Sequence, residues 1–329
     1  MHPQFLPFLR CPESGEPLEL EPRRIRPDGA VEEGHLISPR NRRYEIRAGV
    51  PRFAASGGYS ESFGFEWDRW SRVQYEAENV GGPMEGHTTA MWERITGSRA
   101  REGETVVEFG CGGGRFLDAA RRRGARVVGV ELSGAADAAA RHFRGDPDVL
   151  VVQGDVLAPP LTADAFDGGY SIGVLHHTPD PARGAAALAH VVRPGGWVAL
   201  SVYERGGFYD YPSLRRLRAL EKRLRPLSGY RFAIGYAAAS AFAFGPALGL
   251  LKRMPAFRPA VDAIERQLLP VLHLPDRRWR QLDIFDAITP EIATTHTRDE
   301  VLAWLAGAGC TEVEPTPWGT TSAVGTVAG

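Results

Sequence analysis

The chain has 329 residues, 43% of them hydrophobic, which supplies apolar mass for a large core and excludes a disordered protein. Its 39 Lys and Arg stand against 40 Asp and Glu, a formal net charge of −1, and this balance excludes a general affinity for nucleic-acid phosphates. The three scattered cysteines, Cys11, Cys111 and Cys310, form no disulfide framework, and the start MHPQFLPFLRCPESG lacks the pattern of a secretory leader, so a cytoplasmic location is expected.

Residues 1–55 are rich in Pro, Arg and Glu, with short strand-like pieces such as LISPRNRRYEIRAGVPRF. Basic runs such as Arg40 to Arg43 and Arg121-Arg122-Arg123 are read as solvated faces. A second segment, 56–100, opens on YSESFGFEWDRWSRVQYE, where Phe63, Trp67 and Trp70 recur at helical spacing; this helix is expected to pack on the next domain.

Residues 101–204 alternate strands and helices. TVVEF, RVVGVE, VLVVQGD, FDGGYSIGVL and WVALSVY are predicted strands, separated by the helices RFLDAARRRG, GAADAAARHF and PARGAAALAHVV. The last of these helices is expected to stop at Pro194-Gly195-Gly196. Near-continuous apolar strands spaced by such helices predict a parallel sheet covered on both faces. Residues 205–282 break the rhythm with Arg- and Leu-rich helical text, and 283–329 restore it with RDEVLAWLAGAG, TEVEP and TSAVGTVA. The middle block is therefore an insertion into one α/β domain.

VVEFGCGGGRF leaves the first of these strands and opens a helix, with Glu108, Gly110, Gly112 and Gly114 at alternate positions. Glycines allow a sharp turn and close backbone approach. A dinucleotide fingerprint wants G-x-G-x-x-G, whereas this run is E-x-G-x-G-x-G, and an acidic residue ahead of the turn suits a cationic ligand better than a pyrophosphate. Glu131 ends the second strand, 23 residues after Glu108, where a carboxylate accepts hydrogen bonds from the ribose hydroxyls of an adenosine. In QGDVLAPPL, Asp155 is placed to accept from an adenine amine and Val156 to offer a backbone N–H.

Together with SIGVLHHTPDP and RPGGWVALSVYE, these motifs resemble the S-adenosylmethionine-dependent class I methyltransferase superfamily. The resemblance covers Glu104 to Glu204 and resumes at FDAITPEIATTHTRDEVLAWLAGAGCTEVE, similar to the closing segment of bacterial small-molecule methyltransferases. It implies a Rossmann-like α/β fold with a seven-stranded sheet whose last strand is antiparallel. The cofactor implied is S-adenosylmethionine, leaving as S-adenosylhomocysteine, with Glu108, Gly110, Cys111, Gly112, Gly114, Glu131, Leu132, Asp155, Val156 and Ser171 around it. Residues 8–53 resemble the zinc ribbon that precedes many such enzymes, yet only Cys11 remains of its ligand set; Ser14, Ser38 and Asn41 stand at the other positions. A ribbon held by its own small core, without metal, is expected.

Methyl transfer needs an aligned acceptor, and a base only where the nucleophile arrives protonated. His176 and His177, after the fourth strand, are the candidate catalytic residues; His296 is a weaker candidate, and Thr297 fits a helix cap. The 20 uncharged residues from Phe232 to Leu251 are long enough to span a membrane, but a crossing would separate the final strands from their sheet. A buried or interfacial lid over an apolar acceptor pocket is expected instead, with plain helix packing as the alternative. The expected function is methyl transfer to O, N or C of a small, apolar metabolite, with no nucleic-acid partner. Two alternatives stand beside it: a non-catalytic protein that keeps the fold for binding, and a nucleic-acid methyltransferase, which would show N/D-P-P-Y/F where this chain has SIGVLHHTPDP.

Overall fold

The computed structural model describes residues 1–55 and 58–329. Its N-terminal part is a four-stranded antiparallel sheet of β1 (Glu19–Ile25), β2 (Val31–Ile37), β3 (Arg43–Arg47) and β4 (Val50–Pro51). Helices α1 (Glu61–Arg69) and α2 (His87–Thr96) come next in the chain.

The α/β core then runs β5 (Thr105–Phe109), α3 (Arg115–Arg122), β6 (Arg126–Glu131), α4 (Ala135–His142), β7 (Val149–Gln153), β8 (Phe166–Ile172), α5 (Pro181–Val191) and β9 (Val192–Ser201). Every residue of β5 and β7 is buried, as strands covered on both faces require. Helix α5 starts on Pro181 behind the Asp180 cap, whose carboxylate accepts from Arg183 N at 3.0 Å. It ends at Val191, earlier than expected: Val192 already pairs with Phe166, and Pro194–Gly196 form an irregular stretch within β9.

The insertion consists of helices α6 (Pro212–Ser228), α7 (Arg231–Ala239), α8 (Gly245–Lys252), α9 (Arg258–Gln267) and α10 (Arg277–Ile288). A π-helical turn, Ser240–Phe244, joins α7 to α8, so Arg231–Lys252 is one continuous helix of 22 residues. The expected boundary at residue 282 falls inside α10, so the insertion and the closing segment share one element. Helix α11 (Arg298–Gly307) is closed by the predicted capping box: Glu300 N donates to Thr297 Oγ1 at 3.2 Å, and Thr297 N to the Glu300 carboxylate at 2.6 Å. Strands β10 (Cys310–Pro315) and β11 (Ser322–Val327) complete the sheet.

The order is β10-β11-β9-β8-β5-β6-β7, parallel except for β11, which runs antiparallel to both neighbours. This is the class I methyltransferase sheet. Chain order reverses between β5 and β8, and at such a point the loops beyond the strand ends part to form a crevice.

The N-terminal sheet departs from expectation in its core. Phe5, Leu9, Leu36 and Ile46 belong to the same buried cluster as Val107, Val128 and Val152 of the central strands. The Phe8 ring lies 5.3 Å from Phe166, Arg10 N donates to Pro160 O at 3.0 Å, and Phe53 N to Gln153 O at 2.8 Å. A sheet this small cannot bury enough surface alone, so it borrows the domain's interior. The former ligand positions are taken up by hydrogen bonds: Cys11 Sγ lies 3.1 Å from the Tyr44 hydroxyl, and Ser38 Oγ accepts from Arg42 N at 3.1 Å. Arg42 to Glu13 at 2.6 Å and Arg40 to Glu16 at 3.3 Å tie the two turns together.

Candidate active site

The crevice opens into one cavity of about 500 Å³. Of the residues expected around the cofactor, Glu108, Gly110, Cys111, Gly112, Glu131, Leu132 and Val156 line it. Both Glu131 oxygens accept backbone bonds, one from Gly112 N at 2.9 Å and the other from Ser133 N at 2.8 Å. These fix the carboxylate while leaving each oxygen a further lone pair for a hydroxyl.

Three of the expected residues lie elsewhere. Ser171 is buried and donates to Phe109 O at 3.0 Å, a bond within the sheet. Asp155 accepts from Leu157 N at 2.9 Å and closes its own turn. Gly114 sits at the head of α3 with φ 94°, against Phe143 and the Tyr75 hydroxyl. None of the three lines the cavity.

The glycine loop is pressed from above by the N-terminal segment. A Cβ on Gly112 would stand 2.8 Å from Trp67 Nε1, and one on Gly113 2.7 Å from the same ring. Tyr75 donates its hydroxyl to Gly113 O. The aromatic helix thus does more than pack on the core: Phe63, Glu66 and Trp67, three and four residues apart, form one wall of the cavity.

The electrostatics suit a cation. Glu108 is buried, accepts from the Tyr170 hydroxyl at 3.3 Å, and has its carboxyl pushed well above the ordinary range by burial. A cation brought beside it would restore its charge. S-adenosylmethionine, with its sulfonium and ammonium, fits Glu108, and its ribose fits Glu131.

Away from the glycine loop, sequence reasoning missed a polar group on the same cavity. Glu66 is 2% exposed, its Oε2 has no hydrogen-bond partner, and burial, then Asp286 and Asp283, push its carboxyl well up. Asp283 accepts from Gln74 Nε2 at 3.0 Å; burial outweighs the opposing Arg115 charge and pushes it up to about 7. Asp286 accepts from the Tyr203 hydroxyl at 2.7 Å, and Tyr203 stacks on Tyr209 at 3.4 Å. Arg115 is the cation among them and makes no ion pair within the described residues. The available signals were a glutamate inside the aromatic stripe and two aspartates three residues apart in LDIFDAI.

The two candidate histidines separate. His177 lines the cavity, and Nδ1–H donates to Ile292 O at 2.7 Å, which leaves Nε2 as a buried acceptor without a partner. Burial pulls its pKa below the ordinary value, so the ring is neutral. His176 does not line the cavity; it is fully buried with its ring 3.6 Å from Tyr203, and desolvation keeps it neutral. His296 also stays off the cavity and bonds Thr294 Oγ1 at 2.8 Å. Phe242 and Phe244 of the expected lid do not reach the cavity either. Its wall on that side is Phe208 and Tyr209 with Trp279, Leu282, Asp283 and Asp286 of α10, because the Arg231–Lys252 helix packs behind α10. Among the described residues no group of three or more His, Cys, Asp or Glu is arranged to hold a metal ion.

Residues 107–200 match the methyltransferase-domain family. Over 116 residues the chain is 37% identical to a ubiquinone biosynthesis O-methyltransferase of Paracidovorax citrulli, covering 34% of this chain and 48% of that one. It is 37% identical over 108 residues to its counterpart in Alkalilimnicola ehrlichii, covering 32% and 43%. The chain thus spans less than half the length of these curated relatives. Among solved structures it is similar to the YcgJ protein of Bacillus subtilis, at 22% identity over 41% of this chain and 59% of that one, with a TM-score of 0.36. An S-adenosylmethionine-dependent methyltransferase of Mesorhizobium loti is 29% identical over the same shares, with a TM-score of 0.33. Residues 107–200 thus form a methyltransferase domain by their family match, set within the seven-stranded sheet whose last strand runs antiparallel.

Proposed function

We propose that this protein transfers a methyl group from S-adenosylmethionine to a hydroxyl of a small acceptor held among Glu66, Asp283 and His177. The observation that carries the reading is one continuous cavity, which joins Glu108 and Glu131 to the carboxyls of Asp283 and Asp286 on α10 and to His177. When bound, S-adenosylmethionine supplies a methyl carbon on a sulfonium, open to in-line attack. The chain's residues do the rest. Glu131 holds the ribose and Glu108 offsets the positive charge. Asp283, poised at about 7, accepts the acceptor's proton, with Gln74 orienting it. Phe63, Trp279 and Leu282 give the acceptor an apolar seat, while the carboxyls receive its polar end. The mainly apolar acceptor expected from the sequence is refined to one with an apolar body and a donor-bearing head. The O-methyltransferase relatives favour oxygen as the atom methylated.

Calorimetric titration tests the cofactor half. Glu131→Ala strips the ribose acceptor and frees the glycine loop, and is expected to weaken S-adenosylmethionine binding by about 1–3 kcal/mol. Unchanged affinity sinks the assignment. Asp283→Asn is expected to keep that affinity but lose transfer of labelled methyl into a small-molecule extract. Binding without any transfer by the unaltered protein would leave the non-catalytic alternative.

A further inference from the structure

The Arg231–Lys252 helix is apolar around its whole circumference. Its mean hydropathy reaches 1.5 over the 18-residue window, yet only 28% of that window is buried. The inner face, with Ala233, Ala237, Ala241 and Leu248, packs on α10 and on Val261 and Val271. The outer face carries Phe242 at 53% exposure, Leu250 at 65% and Leu251 at 41%, with Ala243, Pro246 and Ala247 exposed between them. Met254 and Phe257, at 52% and 45%, extend it around the next turn. A helix apolar on every side normally lies inside a protein or in lipid, and a contiguous exposed apolar patch marks a contact surface.

Charge selects the occupant. Residues 205–282 hold fifteen Lys and Arg against five Asp and Glu, in a chain whose formal net charge is −1. Arg231 stands exposed at one end of the apolar face, Arg253 and Arg258 at the other, and the Arg277 guanidinium lies 5.7 Å over the Phe242 ring. None of these four makes an ion pair within the described residues, so their charge is free for an external anion. Within the apolar face itself, from Phe232 to Leu251, the only polar side chains are Tyr236 and Ser240, and the four unpaired charges at its margins are all arginines, which suits an anionic surface. The Tyr236 hydroxyl donates to Pro270 O at 3.0 Å and Ser240 is buried.

We propose that this face docks on an anionic lipid surface, with the Arg231–Lys252 helix lying in the plane of the interface rather than crossing it. The apolar face enters the headgroup boundary and the arginines meet lipid phosphates. Crossing is opposed by the inner face, which is packed on α10, and by β11, which must pair with β9. The proposal stands apart from the methyl-transfer reading, since neither the helix nor the turn lines the cavity.

Sedimentation of the full chain with phosphatidylcholine vesicles, with and without phosphatidylglycerol, tests it. Binding is expected only with the anionic lipid, falling as sodium chloride rises. Phe242→Ser with Leu250→Ser is expected to weaken it roughly tenfold or more. Arg253→Glu with Arg258→Glu should weaken it while leaving the fold intact, read by circular dichroism. Equal binding to neutral vesicles, or none to either, overturns the proposal. So does a dimer in sedimentation equilibrium that Phe242→Ser dissolves, which would make a second copy the occupant. Resistance to alkaline carbonate extraction from membranes would show a spanning helix and overturn it as well.

Discussion

Two additions flank the same α/β core, and they treat their apolar surface in opposite ways. The N-terminal sheet turns Phe5, Leu9, Leu36 and Ile46 into the central core and leaves charged residues outside. The helical insertion buries one face on α10 and leaves Phe242, Leu250 and Met254 in the open. A ribbon that keeps only one of its four ligand positions shares its neighbour's core instead. An insertion that keeps a bare apolar face retains a place for something outside the chain. The contrast teaches that burial, more than composition, separates a structural graft from a working one.

The largest difference between the two additions is energetic. Leu9→Ala empties a fully buried position shared by both parts, and is expected to cost about 2–5 kcal/mol in one cooperative unfolding transition. Phe242→Ser, more than half exposed, should stay within about 0.5 kcal/mol. Denaturant titration followed by two probes checks both. A separate early transition for the N-terminal sheet would mean that it has a core of its own.

A further difference lies in the response to pH. No carboxyl of residues 1–55 is buried, whereas Glu66, Glu108 and Glu131 are buried around the cavity and Asp283 of α10 lines it beside them. The unfolded chain releases that proton near its ordinary value of 3.8, and the folded chain holds it until about 7. Stability from this group is therefore full at acid pH and falls as pH rises between those values, by on the order of 3 kcal/mol. Asp283→Asn should flatten that slope in denaturation curves at pH 4 and pH 7, roughly the ends of the window. An unaltered slope would place the titration elsewhere.

Much of this was legible in the sequence, and the rest was hidden for physical reasons. The sheet strands were readable because each is a short apolar run between helices, and Glu108 and Glu131 because strand ends at a reversal point must face the crevice. Asp283 and Gln74 are 209 residues apart, and nothing local marks them as neighbours until the segment after α1 meets α10. His176 and His177 are adjacent in sequence, yet in the short turn they occupy only one can face the cavity. Phe242 and Phe244 read as a lid because an apolar tract beside an expected pocket reads as its wall. The fold places α10 between them.

Trp67 has a consequence for rates rather than affinities. Its indole rests on the backbone of Gly112 and Gly113, the very loop that a nucleoside ligand must approach. A ligand that reaches that backbone passes the indole, so its entry and departure are both expected to depend on α1 lifting. The association rate constant is thus expected to lie well below the diffusional limit and to level off as ligand concentration rises, the signature of a gate that opens before binding. Trp67→Ala should raise both the association and dissociation rates in stopped-flow mixing. Rates that stay linear in ligand and unchanged by the substitution would mean that the indole moves aside freely and the loop stands open.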